Sequence, residues 1–555
     1  MDSGGPRGGR RRAFRSLAGN RALGRVLAAY VMFTLSEDAV WIAMLVYAYG
    51  RGGTTAAGLV AVAQLVPAAV VAPLAASLAD RRSPVVLLVG GYLVQTAAMA
   101  GTAVAIWAGT PLAAYAAAVV ASTAVTATRP AQSALIPSIA ATPDQLTAAN
   151  VVVGGLDAAG VAGAGLLAGV LITLAGVGSV FAVCAGLGLV AALLTAGLRV
   201  RALTTGQDSE AATAGIGAGL RLAAAGPRLR LMLALLTADA VVVGALDLLV
   251  VILALTVLKR PAGWAGYLEF GFGMGAVLAA TASAVLVGRR LGRPIVAAAL
   301  VFSAALAAVA FGPGTAGTVA LLVVAGASHS LLNVAARTLL QRSVPPQLIG
   351  RIFGVLEGLT MAGLAVGALL VPALAHLGGS RLAVLGVAAV LPLATVAGGR
   401  AIFRLDSGTA VPVVEIALLR SLPLFAELPA PALEGLAAAL TAVHVPAGTA
   451  LIRQGEPGDA YYAIAAGELD AVQDGHVLRR CSRGEGVGEI ALLRAVPRTA
   501  SVIAATAATV YRLDRDLFLT AVLGHAATQR LADRIAETRL AAGAPPPGGE
   551  TQELS

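Results

Sequence analysis

Long apolar runs separated by short polar breaks fill the chain up to about residue 403, after which the pattern changes. A helix needs about 20 apolar residues to cross the roughly 30 Å hydrocarbon core of a bilayer. Six such runs lie at about 26–49, 55–79, 85–108, 112–128, 146–172 and 178–198. After a polar break, six more lie at about 229–258, 264–288, 294–312, 315–336, 350–376 and 382–403. The pattern predicts twelve membrane helices in two halves of six.

The composition excludes an ordinary soluble enzyme. Hydrophobic residues make up 58% of the chain and charged residues only 12%, against about 25% charged in typical soluble domains. The net charge is +10, but residues 1–405 hold 27 basic and 12 acidic residues, whereas residues 406–555 hold 12 basic and 17 acidic ones. The basic residues form short clusters beside apolar runs, which favours membrane flanks over the continuous basic surface that nucleic acid requires. We therefore expect membrane lipid, and no nucleic acid, as a partner.

The basic residues also predict the orientation of the helices. Lys and Arg near membrane helices stay on the cytoplasmic side. The N-terminal segment, the alternate loops and the end of the last run together carry 23 basic residues, and the opposite loops carry 4. We expect a multi-pass protein of the cell inner (plasma) membrane with both termini in the cytoplasm.

The two halves share short sequence matches, which suggest an internal duplication. Asp38-Ala39-Val40 recurs as Asp239-Ala240-Val241, and the Pro-x-Gln-Leu pattern at 143–146 recurs at 345–348. The two offsets, 201 and 202 residues, agree with the six-plus-six grouping.

Several carboxylates lie inside the predicted membrane runs, where each costs at least about 2.5–3.5 kcal/mol at a helix centre unless it is sheltered. Such a group can carry a proton or meet a cationic substrate, or it can simply pair with a backbone group or an arginine. The candidates for transport or proton coupling are Asp38, Asp239, Glu37 and Asp157. Asp247, Glu269 and Glu357 are further acids in these runs.

The loop after the second run reads Ala-Ser-Leu-Ala-Asp-Arg-Arg at 76–82. It resembles the Gly-x-x-x-Asp-Arg signature of the major facilitator superfamily of secondary transporters, with Ala76 in place of the glycine. The resemblance covers about residues 20–405. It implies that Asp80 and Arg81 act as a conformational latch between the cytoplasmic ends of neighbouring helices; the alternative is a simple positive-inside anchor. Segments 129–150 and 348–351 also resemble drug exporters of this family, although the proline of the family's antiporters is missing from 163–169.

The tail from about residue 412 to 541 has short alternating segments between glycine turns, which predict a small β domain with flanking helices. Its most specific motif is Gly-Glu-Ile-Ala-Leu-Leu at 488–493, followed after three residues by Pro-Arg-Thr-Ala-Ser-Val at 497–502. A glycine turn exposes backbone N–H groups that suit an anion, an arginine can grip a phosphate, and a carboxylate can accept from a sugar hydroxyl. Together these groups suit a ribose phosphate.

This motif resembles the phosphate-binding cassette of cyclic nucleotide-binding domains, and so do residues 451–459 and 467–469. The resemblance implies that Glu489 accepts from the ribose 2′-hydroxyl and that Arg498 binds the cyclic phosphate. The residues that it implies along the phosphate, with backbone or hydroxyl donors, are Gly488, Ala491, Thr499 and Ala500. Either cAMP or cGMP fits as a regulatory ligand, and no metal or covalent cofactor is expected.

The fold class predicted is an all-α polytopic membrane protein followed by a small β-roll domain. The predicted boundaries are 1–25 for a basic cytoplasmic segment, 26–404 for the helical domain, 405–414 for a linker, 415–541 for the cyclic nucleotide-binding domain and 542–555 for a disordered tail. The function expected is secondary transport of a small molecule, including drug-like efflux, modulated by cyclic nucleotide and without enzymatic activity. The alternative is a membrane-anchored nucleotide sensor whose helices do not transport.

Overall fold

The chain forms two compact units, one made of the membrane-type helices up to Ala410 and one that contains Val411–Ser555. The computed structural model describes residues 20–81, 83–139, 143–198, 227–282, 290–344, 349–408, 413–426, 428, 430–523, 534 and 537. The predicted disordered tail at 542–555 and most of the predicted basic segment at 1–25 lie outside these residues. Residues 21–25, which that segment was predicted to include, belong to the first helix.

The described part of the first unit is helical throughout, apart from short turns. Its helices are α1 (Arg21–Arg81), α2 (Pro84–Trp107), α3 (Pro111–Ile139), α4 (Pro143–Ala175), α5 (Val177–Thr195), α6 (Pro227–Ile252), α7 (Trp264–Ala282), α8 (Gly292–Val309), α9 (Gly314–Ser343) and α10 (Ile349–Gly408). A π-helical turn, Leu253–Val257, extends α6. Four of these helices begin at a proline, a residue that suits the first helical position because its missing N–H has no partner there anyway.

The two longest helices each contain a break at a glycine pair. In α1 the break lies at Gly52 and Gly53, and in α10 it lies at Gly378 and Gly379. The second glycine of each pair has a positive φ, 63° at Gly53 and 73° at Gly379, a conformation that is costly for residues with a Cβ atom. Each long helix is therefore two helices joined by a tight turn.

Eight helical segments among the described residues are long and apolar enough to cross a membrane. The fourth predicted run, 112–128, lies in the longer helix α3, whose apolar stretch is the short segment Pro111–Thr126. Large apolar side chains also point outward from the helices, such as Leu112, Leu174 and Val396, which are 81%, 78% and 84% exposed. An outer surface of this kind suits lipid, since soluble proteins rarely expose large contiguous apolar areas.

Small residues let these helices approach closely, as the glycine and alanine content predicts. Gly266 of α7 packs against the backbone of Gly165 and Gly169 in α4, so that an added Cβ atom at Gly266 would collide with both. Gly244 of α6 packs in the same way on the backbone of Leu364 in α10. The helical unit is thus held by backbone contacts that larger residues would prevent.

The second unit is a β domain with flanking helices, as predicted. Its helices are α11 (Val413–Ser421), α12 (Ala430–Ala439), α13 (Glu489–Arg494) and α14 (Arg515–Leu523). Its strands are β1 (Thr441–Val445), β2 (Ala450–Ile452), β3 (Ala460–Ala466), β4 (Leu469–Gln473), β5 (His476–Cys481), β6 (Gly486–Val487), β7 (Ser501–Ala504) and β8 (Ala508–Asp514). They form two antiparallel four-stranded sheets, in the orders β1-β8-β3-β6 and β2-β7-β4-β5.

The aromatic core of this domain lies between β3 and the flanking helices. The rings of Tyr461 and Phe518 are stacked with centroids 4.8 Å apart, and Phe425 packs edge-on against both. Residues 405–408 and 413–414 of the predicted linker are helical, because α10 runs to Gly408 and α11 begins at Val413. The domain boundaries themselves remain predictions.

Candidate functional site

The glycine that opens the predicted nucleotide motif has a conformation and a setting that suit glycine alone. Gly488 follows β6 and precedes the short helix α13, with a φ of 95°. A Cβ atom at this position would lie 2.5 Å from Arg498 Nη1 and 3.1 Å from the carbonyl oxygen of Ala460. Gly488 therefore allows the turn and also leaves room for the guanidinium group of Arg498.

Arg498 is a buried cation that the fold holds in place from three sides. The residue is 5% exposed. Its Nη1 donates to the Gly488 carbonyl at 3.0 Å, and its Nη2 donates to the Ala460 carbonyl at 2.8 Å and to Asp459 Oδ1 at 3.0 Å. A guanidinium group has five N–H donors. These three bonds orient the group and leave Nε and one Nη1 hydrogen for an anionic ligand.

Asp459 is a partner of Arg498 that the sequence analysis did not single out. One of its oxygens accepts from Arg498 and the other accepts from Arg512 Nη2 at 3.3 Å. Partial burial alone would raise the pKa of this carboxyl group, but a bond from its own backbone N–H and the charges of Arg498 and Arg512 lower the pKa below its usual value. Its place in the Gly455–Asp459 turn was the only available signal, since its partners lie far along the chain.

The other four predicted nucleotide contacts are buried or half-buried. Glu489 and Ala491 in α13 are buried, 2% and 3% exposed, and Thr499 and Ala500 are half-buried in the bend before β7. Gly455 N–H donates to the Arg498 carbonyl at 2.8 Å, and Arg498 N–H donates to the Glu456 carbonyl at 2.8 Å. The loop before β3 thus fixes the backbone of Arg498 beside α13.

In the helical unit, two of the predicted acids are paired within the first half. Arg129 Nη2 donates to Glu37 Oε2 at 2.7 Å, and the hydroxyl group of Tyr30 donates to Asp157. These contacts join α1 to α3 and α1 to α4. The arrangement matches the structural alternative for Glu37, a carboxylate paired with an arginine.

Asp239, the predicted repeat partner of Asp38, has quite different surroundings. Asp239 is 2% exposed, its Oδ1 lies 3.1 Å from His329 Nδ1, and its Oδ2 accepts from Asn333 at 3.3 Å. His329 lies near Phe272 and Phe302, with ring centroids 5.6 and 5.8 Å away. Asp38, in contrast, has no hydrogen bond from its side chain within the described part of the chain.

Two further acids of the membrane helices, Asp247 and Glu269, have surroundings of their own. Trp41 Nε1 of α1 donates to Asp247 Oδ2 of α6 at 2.9 Å, a bond between the two halves. Glu269 of α7 is 7% exposed, and its Oε2 is buried without a hydrogen-bond partner. Sequence reasoning recognised both as membrane acids but had no signal for their contacts.

Asp80 and Arg81, the predicted latch, lie at the end of α1, and their side chains fall outside the described part of the structure. Among the described residues, no group of three or more His, Cys, Asp or Glu side chains is placed to hold a metal ion.

Comparison with known proteins relates each unit to a family. The Major Facilitator Superfamily matches residues 26–359, and the cyclic nucleotide-binding domain matches residues 442–525. The cAMP-dependent protein kinase regulatory subunit of Aspergillus niger is 40% identical over 104 residues, which is 18% of this chain and 25% of that protein. The corresponding subunit of Yarrowia lipolytica is 38% identical over 112 residues, 19% of this chain and 30% of that protein.

A solved structure, the regulatory domain of Toxoplasma gondii PKA with cAMP, is 25% identical to this chain. The match covers 25% of this chain and 56% of the Toxoplasma chain, with a TM-score of 0.23. The chain spans about a quarter of the length of the first curated relatives that it matches. Because the superfamily match covers more than half of the chain, this multi-pass membrane protein belongs to the Major Facilitator Superfamily of transporters and carries a C-terminal cyclic nucleotide-binding domain.

Proposed function

We propose that this protein is a secondary active transporter of a small molecule whose activity is modulated by cAMP or cGMP bound to its C-terminal domain. The observation that carries the proposal is the pairing of a transporter-family helical unit with a domain in which Arg498 is already held beside Gly488. Drug-like efflux is one form that this transport would take. No catalytic residue is assigned, and superfamily members generally transport rather than catalyse.

The proposed number of membrane spans is twelve. The turns at Gly52–Gly53 and Gly378–Gly379 divide α1 and α10 into two helices each. Counting the parts separately, the described residues of the helical unit form six helices before the polar break at about 199–228 and six after it. An even number of spans agrees with both termini in the cytoplasm of the plasma membrane, the orientation that the basic residues favour.

Three of the four basic residues on the proposed outer side contact aromatic rings. Arg51, Arg260 and Arg381 lie 3.7, 5.3 and 5.2 Å from the centroids of the rings of Tyr47, Trp264 and Phe311. Aromatic and basic residues concentrate at membrane interfaces, where amphipathic groups are stable. Reporter fusions at Ser555 test the orientation, and a reporter active outside the cytoplasm would contradict it.

We assign nucleotide contact to six residues of the cassette, in which Arg498 binds the phosphate and Glu489 binds the ribose. The other four are Gly488, Ala491, Thr499 and Ala500. Two N–H donors of Arg498 remain for two phosphate oxygens, which suits a bidentate contact. Thr499 does not distinguish between adenine and guanine as the base. Because matching relatives are cAMP-dependent protein kinase regulatory subunits, cAMP is the first ligand to test. Asp38, Asp239, Glu37 and Asp157 remain the proposed transport or coupling acids, and Asp80 with Arg81 the proposed latch.

Flux in liposomes with and without saturating cAMP or cGMP tests the coupling. We expect nucleotide to change the flux by a modest factor, because couplings between sites are typically about 1–3 kcal/mol. Arg498→Ala should abolish the change and leave basal flux intact. Arg480→Ala, which removes an exposed ion pair with Asp470, is the matched control and should keep the response.

By linkage, a substrate that traps the nucleotide-favoured state must raise nucleotide affinity by the same factor. Nucleotide binding without any flux would instead identify the anchored sensor. Flux that is equal in all nucleotide conditions would refute the modulation and leave the transport proposal standing.

A further inference from the structure

A cavity of about 460 Å³ lies in the β domain, and the residues that line it differ from the six of the nucleotide cassette. It is formed by residues 421–424 at the end of α11, by residues 484–486 at the start of β6, and by Tyr461, Arg479 and Arg534. Small-molecule pockets in proteins typically have volumes of about 300–1,000 Å³ and combine apolar walls with a few polar groups. The cavity therefore has the size and the lining of a ligand site.

The aromatic core of the domain forms one wall of this cavity. Tyr461 lines the cavity, and its ring stacks on Phe518 and packs edge-on against Phe425. The next residue of β3, Tyr462, belongs to a separate core that includes Val487, because successive side chains of a strand point to opposite faces. A ligand in the cavity would therefore bind on the helix-covered face of β3.

Arg479 brings to this cavity a guanidinium group with one nitrogen that lacks an acceptor. Its Nη1 donates to Glu485 Oε1 at 3.3 Å, and Glu485 Oε2 accepts from the Ser482 N–H at 2.7 Å. Nη2 of Arg479 is buried and has no hydrogen-bond partner among the described residues. Buried N–H groups rarely lack an acceptor, and a guanidinium group cannot lose its charge to avoid the cost. The cavity thus offers a charged donor to an incoming acceptor.

The charges and the apolar groups around the cavity together suit an organic anion with a single charge. Arg479 and Arg534 carry positive charge, and Glu485 carries negative charge, so a monoanion balances the lining. A carboxylate accepts well from a guanidinium group. Residues 422–424, Leu-Pro-Leu, supply an apolar surface for the rest of such a molecule.

We infer that this cavity binds a small organic carboxylate, whose charged group accepts from Arg479 Nη2 and whose apolar body lies against residues 422–424 and Tyr461. The inference goes beyond the proposed function, because this ligand is not the cyclic nucleotide and binds to other residues. The domain would then carry two ligand sites, one at the cassette and one at this cavity.

The test is a calorimetric titration of 2-naphthoate into the purified full-length protein, with 2-naphthamide as a neutral probe of the same shape. We expect the wild type to bind the carboxylate more tightly than the amide. Arg479→Gln should weaken 2-naphthoate binding about tenfold or more, because it removes a charged hydrogen-bond donor. Arg480→Ala is the matched control and should leave binding unchanged, since this neighbouring arginine of β5 pairs with Asp470 and Glu468.

Glu485→Gln should have the opposite effect. It removes the negative charge beside Arg479 and should tighten 2-naphthoate binding about two- to fivefold. A merely structural role of the Arg479–Glu485 pair predicts instead that both variants weaken binding. If Arg479→Gln does not fold, Glu485→Gln and Arg479→Lys, which keeps the charge and should retain binding, decide the matter.

Arg498→Ala separates the cavity from the cassette. We expect 2-naphthoate to bind this variant as it binds the wild type, and saturating cAMP not to displace it from the wild type. Loss of 2-naphthoate binding in Arg498→Ala, or displacement by cAMP, would place the anion in the cassette and overturn the inference.

Three other results would also overturn the inference: no binding of 2-naphthoate to the wild type, equal affinity for the amide, or equal affinity of wild type and Arg479→Gln. None of these results bears on nucleotide binding or flux, which are measured separately. Failure of the cavity site would therefore leave the proposed function standing.

Discussion

Arg498 in the nucleotide-binding domain and Glu269 in the helical unit are both buried ionisable side chains, but their surroundings differ. They are 5% and 7% exposed. Arg498 donates to three acceptors, whereas Oε2 of Glu269 is buried and accepts from no donor among the described residues. A buried charge is tolerated when hydrogen bonds and an opposite charge replace its water. The charge of Arg498 is therefore compensated within its domain, whereas the buried oxygen of Glu269 is not hydrogen-bonded among the described residues.

This difference predicts how substitutions act at each position. At Arg498 the ligand meets an oriented group, so binding costs little reorganisation. At Glu269 one buried oxygen has no partner among the described residues, so removing the carboxylate charge breaks no hydrogen bond to that oxygen. Substitutions at the two sites should accordingly have opposite effects on the free protein.

The largest effect is expected for Arg498→Ala. Removing one partner of a buried, hydrogen-bonded charge pair typically costs about 2–5 kcal/mol, which weakens nucleotide binding roughly 30-fold or more. Glu489→Ala should cost less, because it removes a hydroxyl contact and not the phosphate charge. Calorimetry with cAMP on the full-length protein measures both, and tight binding retained by Arg498→Ala would remove this residue from the site.

Gly488→Ala tests whether the site is built in advance. The φ of 95° and the nearby Arg498 guanidinium both oppose a Cβ atom, and strain of this kind costs about 1–3 kcal/mol. We expect lower thermal stability of the domain and weaker nucleotide binding. The control is Gly435→Ala in α12, where an added Cβ meets open space and the helix should gain about 0.5–1 kcal/mol. Equal effects of the two substitutions would contradict the geometry.

Glu269→Gln should have the opposite sign in the free protein. Removing a buried carboxyl group whose Oε2 has no hydrogen-bond partner among the described residues should stabilise the helical unit by about 1 kcal/mol. Thermal melts of the wild type and the variant in detergent measure this difference. A destabilised variant would show that the carboxyl group of Glu269 is compensated within the protein.

The smallest effect concerns Asp459 and pH. Because the pKa of its carboxyl group is lower in the folded domain than its usual value of about 4, its contribution to stability is present above about pH 4 and is lost as the pH falls through the lower folded pKa. The side chain is 61% exposed, so the contribution should stay below about 1 kcal/mol. Acid melts of Asp459→Asn should show a shallower loss of stability below about pH 4.

Asp470→Asn is the comparison variant, since Asp470 also has a lowered pKa, through its hydrogen bond from Arg480. It should change the acid dependence without changing nucleotide affinity, whereas Asp459→Asn should weaken nucleotide binding through Arg498. Equal nucleotide affinities of the two variants would separate Asp459 from the site.

The parts of the molecule that depend on local sequence were predictable. A run of about 20 apolar residues forms a helix wherever it lies, and a glycine turn followed ten residues later by an arginine encodes most of the cassette. The helix positions and the β domain follow from such patterns. Gly488 and Arg498 were identified in this way, and the structure brings them within 3.0 Å of each other.

The partners of the buried charges required the tertiary structure, because packing joins residues that are far apart in the chain. Asp459 reaches Arg498 across 39 positions, and Trp41 reaches Asp247 across 206. Asp38 and Asp239 look equivalent in sequence, yet only Asp239 is hydrogen-bonded to a histidine from α9. Sequence alone determined which residues carry charge inside the membrane helices, whereas the contacts between helices decided which of those charges are compensated.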